Sequence, residues 1–208
     1  QTAWSWLHKM RRAMVRTGRD KLRGIVEVDE TLVGGENTGG KRGRGAERKA
    51  IVVIVLEVHE PMGYGRVRMK RISDFSSDSL IPFVRSVVQP GAEIRTDSWR
   101  GYNALEKYGY IHKKVNISVS GNPAHVLMPG VHKVSSLMKR WLLSTHQGAV
   151  SSKHLDYYLD EYTFRFNRRN SKARGMLFYR LLQQAVTTDP FSYREIVCGK
   201  MNSKANTN

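Results

Sequence analysis

The segment GIVEVDETLVGG, residues 24–35, combines two properties that any fold of this chain must reconcile. Its run of β-branched residues is typical of a strand buried in a sheet, yet it carries Glu27, Asp29 and Glu30. Carboxylates are costly to bury unless they are hydrogen-bonded, paired or bound to a metal. The chain holds 35 Lys and Arg against 18 Asp and Glu, a net charge of +17, so acidic groups within a strand need a specific explanation.

The charge also indicates the class of partner. A pI near 10.2 favours a polyanion, with nucleic acid first. The basic residues are spread along the chain and not gathered on one amphipathic helix, which argues against a membrane-surface role, and no stretch approaches the ~18 apolar residues of a membrane span. The single cysteine, Cys198, excludes an internal disulfide and a Cys-x-x-Cys zinc site. It fits a cytoplasmic protein, and we expect it to be buried.

Periodicity predicts an alternation of strands and helices in a chain long enough for one domain with small additions. The predicted strands are 24–33, 50–58, 66–72, 93–97 and 110–117, and the predicted helices are 3–17, 76–88, 99–109, 131–145, 152–167 and 175–187. Pro82 is expected in a first helical turn, and 120–130 is expected to be a loop. Three sequential strands can form an antiparallel meander, and a helical crossover then returns the fourth strand parallel to the first.

If the fourth strand lies beside the first, Asp29 and Asp97 meet at neighbouring strand ends. With His132, which opens a predicted helix, they form a candidate site. Carboxylate oxygens suit hard cations such as Mg²⁺, and two ions ~3.5–4 Å apart can stabilise the attacking and leaving oxygens of a displacement at phosphorus. The alternatives are that both aspartates form turns after strands and that the histidine makes a structural hydrogen bond.

Lys139 lies two helical turns after His132 and therefore on the same face of the predicted helix. A lysine there could contact a DNA phosphate, and Ser135 and Ser136 keep that face small and polar. The alternative is an ordinary solvated helix face.

Basic residues cluster in two further segments. Residues 35–42, GENTGGKR, nearly match a phosphate-binding P-loop, but Arg42 stands where a Ser or Thr would bind Mg²⁺, so a P-loop is rejected. The glycine-rich stretch is better explained as a loop that lies along a DNA backbone. Residues 154–170 interleave aromatic and charged residues. Candidate DNA contacts from these and the preceding helix are Lys41, Arg42, Arg44, Arg140, Arg168 and Arg169, and Arg165 is a further candidate.

Three motifs in order, VEVDETLVGG, IRTDSWRGY and VHKVSSLMKRWLLSTHQGAVSSKHLDYYLDEYTFRFNRR, resemble bacterial insertion-sequence transposases that combine an N-terminal zinc ribbon with a DDE-type core. The resemblance runs from the first predicted helix to about Val186. It implies an α/β, RNase H-like fold of the retroviral-integrase type: a mixed five-stranded sheet flanked by helices, with extra C-terminal helices.

The resemblance implies that Asp29 and Asp97 are catalytic acids that bind Mg²⁺ or Mn²⁺, two ions to a site. His132 takes the third ligand position, where relatives carry Glu or Asn, and Lys139 follows at the expected distance. Glu30 is a weaker candidate that would act behind these ligands. The enzyme would hydrolyse a phosphodiester at the element ends and join the freed 3′-hydroxyl to target DNA.

Domain organisation and partners follow from the same resemblance. We expect residues 1–22 to be the remnant of an N-terminal DNA-binding region, 23–187 the catalytic domain and 188–208 a tail. The chain begins with Gln1 in a predicted helix and lacks the cysteines of a zinc ribbon, so a truncated N-terminus is expected. The partners would be double-stranded DNA and further copies of the chain, in the bacterial cytoplasm at the nucleoid. Two alternatives stay open: an inactive DNA-binding derivative, and an RNase H-like nuclease or resolvase without strand transfer.

Overall fold

The computed structural model describes residues 1–16, 18–34, 49–61, 63–115, 124–147 and 150–198. These ranges fall into two compact units. The sheet unit, Asp20–Ser152, holds β1 (Ile25–Val33), β2 (Ala50–His59), β3 (Gly63–Ile72), α2 (Ser77–Val87), β4 (Glu93–Asp97), β5 (Ile111–Val115), α3 (Ala124–Leu127) and α4 (Pro129–His146). The helical unit combines α1 (Thr2–Ala13) with α5 (Leu155–Asn167), α6 (Met176–Val186) and α7 (Tyr193–Cys198).

The sheet has the strand order β3-β2-β1-β4-β5. β1, β2 and β3 pair antiparallel, whereas β4 pairs parallel to β1 and β5 parallel to β4. This is the predicted meander followed by a parallel return, and it confirms the mixed five-stranded, RNase H-like sheet. β2 lies inside the sheet, which explains its continuous apolar run.

Each face of β1 serves a different purpose because side chains alternate along a strand. Val26 and Val28 point into a core cluster that also contains Leu80 and Val84 of α2. Glu27, Asp29 and Thr31 form the opposite face, and residues of α4 contact them. The unusual composition of the strand thus separates an apolar face from a polar face.

Several predicted elements differ from the observed ones. Residues 99–109 form two 3₁₀ segments, Arg100–Tyr102 and Leu105–Tyr108, and not an α-helix. The buried residues Tyr102 and Leu105 are three positions apart, which matches the period of a 3₁₀-helix. Within the predicted loop 120–130, residues Ala124–Leu127 form the short helix α3. α4 begins at Pro129. Proline is tolerated there because an amide in the first helical turn needs no partner within the helix.

Pro82 is the sixth residue of α2, so its predicted place in the first turn is wrong. Proline at that depth removes one amide from the helix. α2 forms nevertheless because the Ser76 side chain caps it by accepting from the Ser79 amide at 3.3 Å, and because Leu80 and Val84 bury its apolar face. Tertiary packing therefore outweighs the local penalty.

The helical unit packs around polar residues of α1. Leu7 of α1 is 55% exposed, whereas the neighbouring His8 is fully buried. Arg11 is buried because its Nε donates to Glu161 at 2.7 Å. The predicted burial of Cys198 is also wrong, since this residue is exposed. No helix in the described ranges is both long enough and apolar enough to cross a bilayer.

His8 makes the stability of the helical unit depend on pH. The ring lies among aromatic side chains, with centroids 4.3 Å from Trp4 and 4.8 Å from Tyr157, and neither ring nitrogen has a hydrogen-bond partner among the residues that the structure describes. Burial, followed by the charge of Arg11, lowers the pKa of His8 from 6.5 to about 4. Between these two pH values the unfolded chain binds a proton at His8 and the folded chain does not. The contribution of the buried neutral ring to the free energy of unfolding is therefore fully present above pH 6.5 and is lost as pH falls through 4.

We expect His8→Phe to remove this dependence. The wild-type free energy of unfolding should fall between pH 7 and pH 4 by on the order of 3 kcal/mol more than that of the variant, because protonation of the imidazole has no counterpart in Phe. Urea unfolding at both pH values measures the difference. Equal losses in wild type and His8→Phe would contradict the account.

Close approach of α4 to the sheet requires Gly130. A Cβ built at this position would lie 2.6 Å from Tyr64 Cε1, 2.8 Å from Leu56 Cδ2 and 2.9 Å from Glu27 Oε2. We expect Gly130→Ala to lower the free energy of unfolding by about 1–3 kcal/mol through overpacking. Gly175→Ala is the control, because nothing lies within 4 Å of its Cβ, and it should be neutral or slightly stabilising. Equal changes in the free energy of unfolding for Gly130→Ala and Gly175→Ala, measured by urea titration, would show that α4 does not pack tightly against the sheet at Gly130.

Candidate active site on the polar face of the sheet

Asp29 and Asp97 occupy neighbouring parallel strands. The pairing of β1 with β4 aligns Ile25 with Glu93 and Glu27 with Arg95. Each aspartate lies two residues beyond the last of these pairs, so both side chains leave the same face of the sheet near the carboxyl ends of adjacent strands. The topology thus places the two predicted acids side by side, as the strand order required.

α4 brings His132 to the same place. His132 Nδ1 lies 3.8 Å from Asp29 Oδ2, with the two side chains 29% and 20% exposed. On either side of this contact, the Val131 amide donates to Glu27 Oε2 at 2.7 Å and Ser135 Oγ donates to Thr31 Oγ1 at 3.0 Å. Three consecutive positions on the polar face of β1 therefore contact the first turns of α4, with Asp29 in the middle.

Lys139 lies along the same side of α4. It is partly buried, and burial together with the charge of Lys49 lowers its pKa, while the opposite charge of Asp29 acts to raise it. A lysine within electrostatic reach of an aspartate matches the predicted face of the helix. Ser136, by contrast, is exposed, so only Ser135 of the predicted serine pair contributes to the contact with the sheet.

The turn after β4 holds Asp97 in a fixed environment. Asp97 Oδ1 accepts from the Trp99 amide at 3.0 Å, and Trp99 Nε1 donates to the Phe75 carbonyl at 2.8 Å. Gly101 is close-packed here, since a Cβ would lie 2.7 Å from Trp99 Nε1 and 2.8 Å from Leu80 Cδ1. Trp99 packs against the apolar core and is therefore an anchor of the turn.

Tyr102 connects this turn to β1. Its hydroxyl donates to Glu30 Oε1 at 2.5 Å, and its side chain is fully buried. Burial raises the pKa of Tyr102 well above its usual value, and the nearby charges of Glu30, Asp29 and Asp97 add to this effect. Glu30 points to the opposite face of β1 from Asp29, and its hydrogen bond with Tyr102 joins it to the turn that follows Asp97.

The donor groups suit a divalent cation. Carboxylates bind Mg²⁺ and Mn²⁺, and imidazole is a ligand better suited to transition metals than to Mg²⁺. Mg²⁺ usually takes one or two carboxylates and completes its shell with water and substrate phosphates. Among the residues that the structure describes, no three His, Cys, Asp or Glu side chains are grouped closely enough to enclose an ion. A metal site that Asp29, Asp97 and His132 share therefore stays a prediction, although these donor groups suit a divalent cation.

Comparison with protein families decides the membership of the chain. Residues 21–167 match the model of the ISXO2-like transposase domain. The chain belongs to this family. The matched range starts before β1 and ends with the last residue of α5, so it contains Asp29, Asp97, His132 and Lys139. DDE-type transposases generally use divalent metal ions, which agrees with the donor groups on the polar face of the sheet.

Two similar proteins have low sequence identity to this chain. An uncharacterized transposase-like protein of Haemophilus influenzae is 25% identical over 112 residues, which make up 54% of this chain and 89% of that protein. The catalytic core domain of BIV integrase is similar in structure, with a TM-score of 0.48 and 13% identity over 78% of this chain and 96% of that one. The RNase H-like assignment therefore rests on strand order and direction.

The predicted DNA contacts of this chain divide into three groups. Lys41, Arg42 and Arg44 lie outside the described residues. Arg140 is exposed on α4. Arg168 and Arg169 lie over aromatic rings, with their guanidinium carbons 3.9 Å from the centroid of Phe164 and 4.0 Å from that of Phe166, respectively. Contact with DNA stays a prediction for all six residues.

Arg165 already has a partner within the helical unit. Its guanidinium donates to Glu161 at 2.8 Å, and the same carboxylate accepts from Arg11 at 2.7 Å. The burial of Glu161 beside two arginines explains why both guanidinium groups are held there. A phosphate would have to compete with this carboxylate for Arg165, so we do not include it in the proposed DNA interface.

Sequence reasoning missed two contributors to the site, Tyr102 and Glu27. Tyr102 follows Asp97 closely within the motif DSWRGY, and an aromatic residue five positions after the predicted acid was the available signal. Glu27 lies two positions before Asp29, so strand alternation places it on the same face of β1. A carboxylate at that spacing in a buried strand was the signal, but its partner is 104 residues away.

We expect Tyr102→Phe to destabilise the fold through Glu30. Loss of the hydroxyl removes a hydrogen bond to a carboxylate, a class worth about 1.5–3 kcal/mol, whereas a neutral hydrogen bond contributes about 0.5–1.5 kcal/mol. Tyr110→Phe is the matched control, because this buried tyrosine donates to the Val88 carbonyl at 3.1 Å. Urea unfolding should give the larger loss for Tyr102→Phe, and the reverse order would contradict the role assigned to Glu30.

Proposed function

We propose that this chain is the catalytic part of a DNA transposase. It hydrolyses a phosphodiester at the ends of its element and joins the freed 3′-hydroxyl to target DNA, acting as a homo-oligomer on DNA in the bacterial cytoplasm. The observation that supports the proposal is the position of Asp29 and Asp97 on adjacent parallel strands, with His132 Nδ1 3.8 Å from Asp29 Oδ2, within a range that matches a transposase domain.

Electrostatics supports a cation-dependent reaction at this site. The net charge of +17 attracts DNA, but two adjacent carboxylates would repel a phosphodiester unless a cation lay between them. Bound Mg²⁺ or Mn²⁺, with two ions per site proposed, would supply Lewis-acid stabilisation of the charge that develops at phosphorus. Asp29 and Asp97 would hold these ions as oxygen donors, and His132 would contribute a nitrogen donor from the first turn of α4.

Lys139 would position the DNA. Its ammonium lies on the side of α4 that carries His132 and Ser135, within electrostatic reach of Asp29. A phosphate next to the reacting one could accept from this ammonium and fix the strand over the carboxylates. Partial burial restricts the lysine side chain, so it would lose little conformational entropy when it binds the phosphate.

A second candidate function is DNA binding without catalysis, which His132 favours because relatives carry Glu or Asn at this position. It predicts no cleavage with Mg²⁺ or Mn²⁺. An RNase H-like nuclease or resolvase is the other alternative, and it would cleave but would not produce covalent donor–target joints. Salt dependence of DNA binding cannot separate the three because all of them neutralise phosphates.

We expect Asp97→Asn to abolish cleavage and leave DNA binding intact. Asparagine keeps the size and one oxygen of the side chain but removes the charge that holds a divalent cation. Cleavage and strand transfer should be measured on duplexes that carry the ends of the parent element, with Mg²⁺ and with Mn²⁺. Fluorescence anisotropy in EDTA should report DNA binding within twofold of wild type.

Asp189→Asn is the matched control for this experiment. Asp189 is exposed and lies outside the range that matches the transposase domain, and the same charge is lost there. Its cleavage should equal that of wild type. Undiminished cleavage by Asp97→Asn, or equal losses in both variants, would refute the assignment of Asp97.

A further inference from the structure

Glu27 is a buried carboxylate that does not belong to the proposed ligands. Its exposed fraction is 2%, and its Oε2 accepts from the Val131 amide at 2.7 Å across 104 residues of sequence. Val131 immediately precedes His132, and Glu27 is two residues before Asp29. The hydrogen bond therefore joins the strand of the first acid to the helix of the histidine, next to the place where those two side chains meet.

α4 depends on this contact at its N-terminus. The preceding residue, Met128, makes no capping hydrogen bond through its side chain, although the first amides of a helix need acceptors. Glu27 provides an acceptor from outside the helix, and its negative charge is favourable at the positive end of an 18-residue helix. Gly130 permits the contact, because a Cβ there would lie only 2.9 Å from Glu27 Oε2.

We infer that Glu27 is a positioning residue for the metal site: its carboxylate anchors the first turn of α4 on β1 and thereby fixes His132 against Asp29. The inference rests on the proposed function, since it gives that site a second layer of support. Glu27 acts through the helix and not as a ligand. Loss of such supporting partners typically weakens metal binding about 10- to 100-fold.

Glu57 provides a matched control on the next strand. It is also a buried carboxylate, 4% exposed, and it also accepts from backbone amides, those of Arg23 at 3.3 Å and Arg66 at 3.2 Å. Glu57 pairs in register with Val26 and so points to the opposite face from Glu27. Its partners, the Arg23 and Arg66 amides, are not part of α4. Loss of Glu57 therefore removes a buried carboxylate but no contact with the helix that carries His132.

The test is Mn²⁺ binding by the full chain, measured from the electron paramagnetic resonance signal of free Mn²⁺ and therefore independent of DNA cleavage. Glu27→Ala should raise the dissociation constant about tenfold or more, whereas Glu57→Ala should change it less than twofold. The midpoint temperature of thermal unfolding, measured by circular dichroism, should fall in both variants. Wild-type binding by folded Glu27→Ala, or equal weakening by Glu57→Ala, would overturn the inference.

Two conservative variants separate position from charge and remain informative if the alanine variant does not fold. Glu27→Gln keeps the length and an oxygen that can accept from the Val131 amide, so its Mn²⁺ affinity should stay within about threefold of wild type, well short of the loss expected for a missing supporting partner. Glu27→Asp keeps the charge but withdraws it from the helix and should weaken binding more than Gln does. Binding that is better in Asp than in Gln would mean that charge alone matters and would overturn the positioning role.

Asp29→Asn distinguishes failure of the inference from failure of the proposed function. If wild type binds Mn²⁺ and Asp29→Asn does not, the site stands and the Glu27 variants decide the inference. If Asp29→Asn binds as tightly as wild type, or wild type does not bind, the proposed metal site is wrong and the role of Glu27 falls with it.

Discussion

The polar face of β1 is the constraint on which the candidate site depends. A carboxylate as buried as that of Glu27 is tolerated only if hydrogen bonds replace its lost water. Burial raises the pKa of Glu27, and the amides of Val131 and Gly130 together with the charge of Arg95 act to lower it. The residues that would be most costly to bury in β1 thus determine where the first turn of α4 lies, and the contact between Asp29 and His132 follows from that position.

Local patterns predicted the parts of the fold that obey local rules. The β-branched run of β1 and the short segment EIRTD predicted both strands to within one residue of their observed ends, and the topology predicted that Asp29 lies beside Asp97 if β4 neighbours β1, as it does. The start of α4 was missed because its amide acceptor is Glu27, 104 residues away, so no sequence window contains the cap. The 3₁₀ segments were missed because the anchors of Trp99 and Gly101 are distant residues of α2 and its preceding turn.

The site shows the same division between local and distant information. Helical spacing predicted that His132, Ser135 and Lys139 share one side of α4, and the contacts of the first two with Asp29 and Thr31 agree with this. The Tyr102–Glu30 pair could not be predicted in this way, because it joins a 3₁₀ segment to the opposite face of β1. The proposed site residues on α4 thus leave a periodic signal, whereas the Tyr102–Glu30 contact depends on how distant segments of the chain fold together.

The buried side of α4 fixes how the helix presents His132 and Lys139. Val131, Val134, Met138 and Leu142 are buried at helical spacing and fix the rotation of the helix on the sheet. Each residue advances the helix by 100°, so His132 and Lys139 lie on the flank of that buried stripe, where both are only partly exposed. Both side chains are therefore held by the same packing, and any displacement of α4 moves them together relative to Asp29.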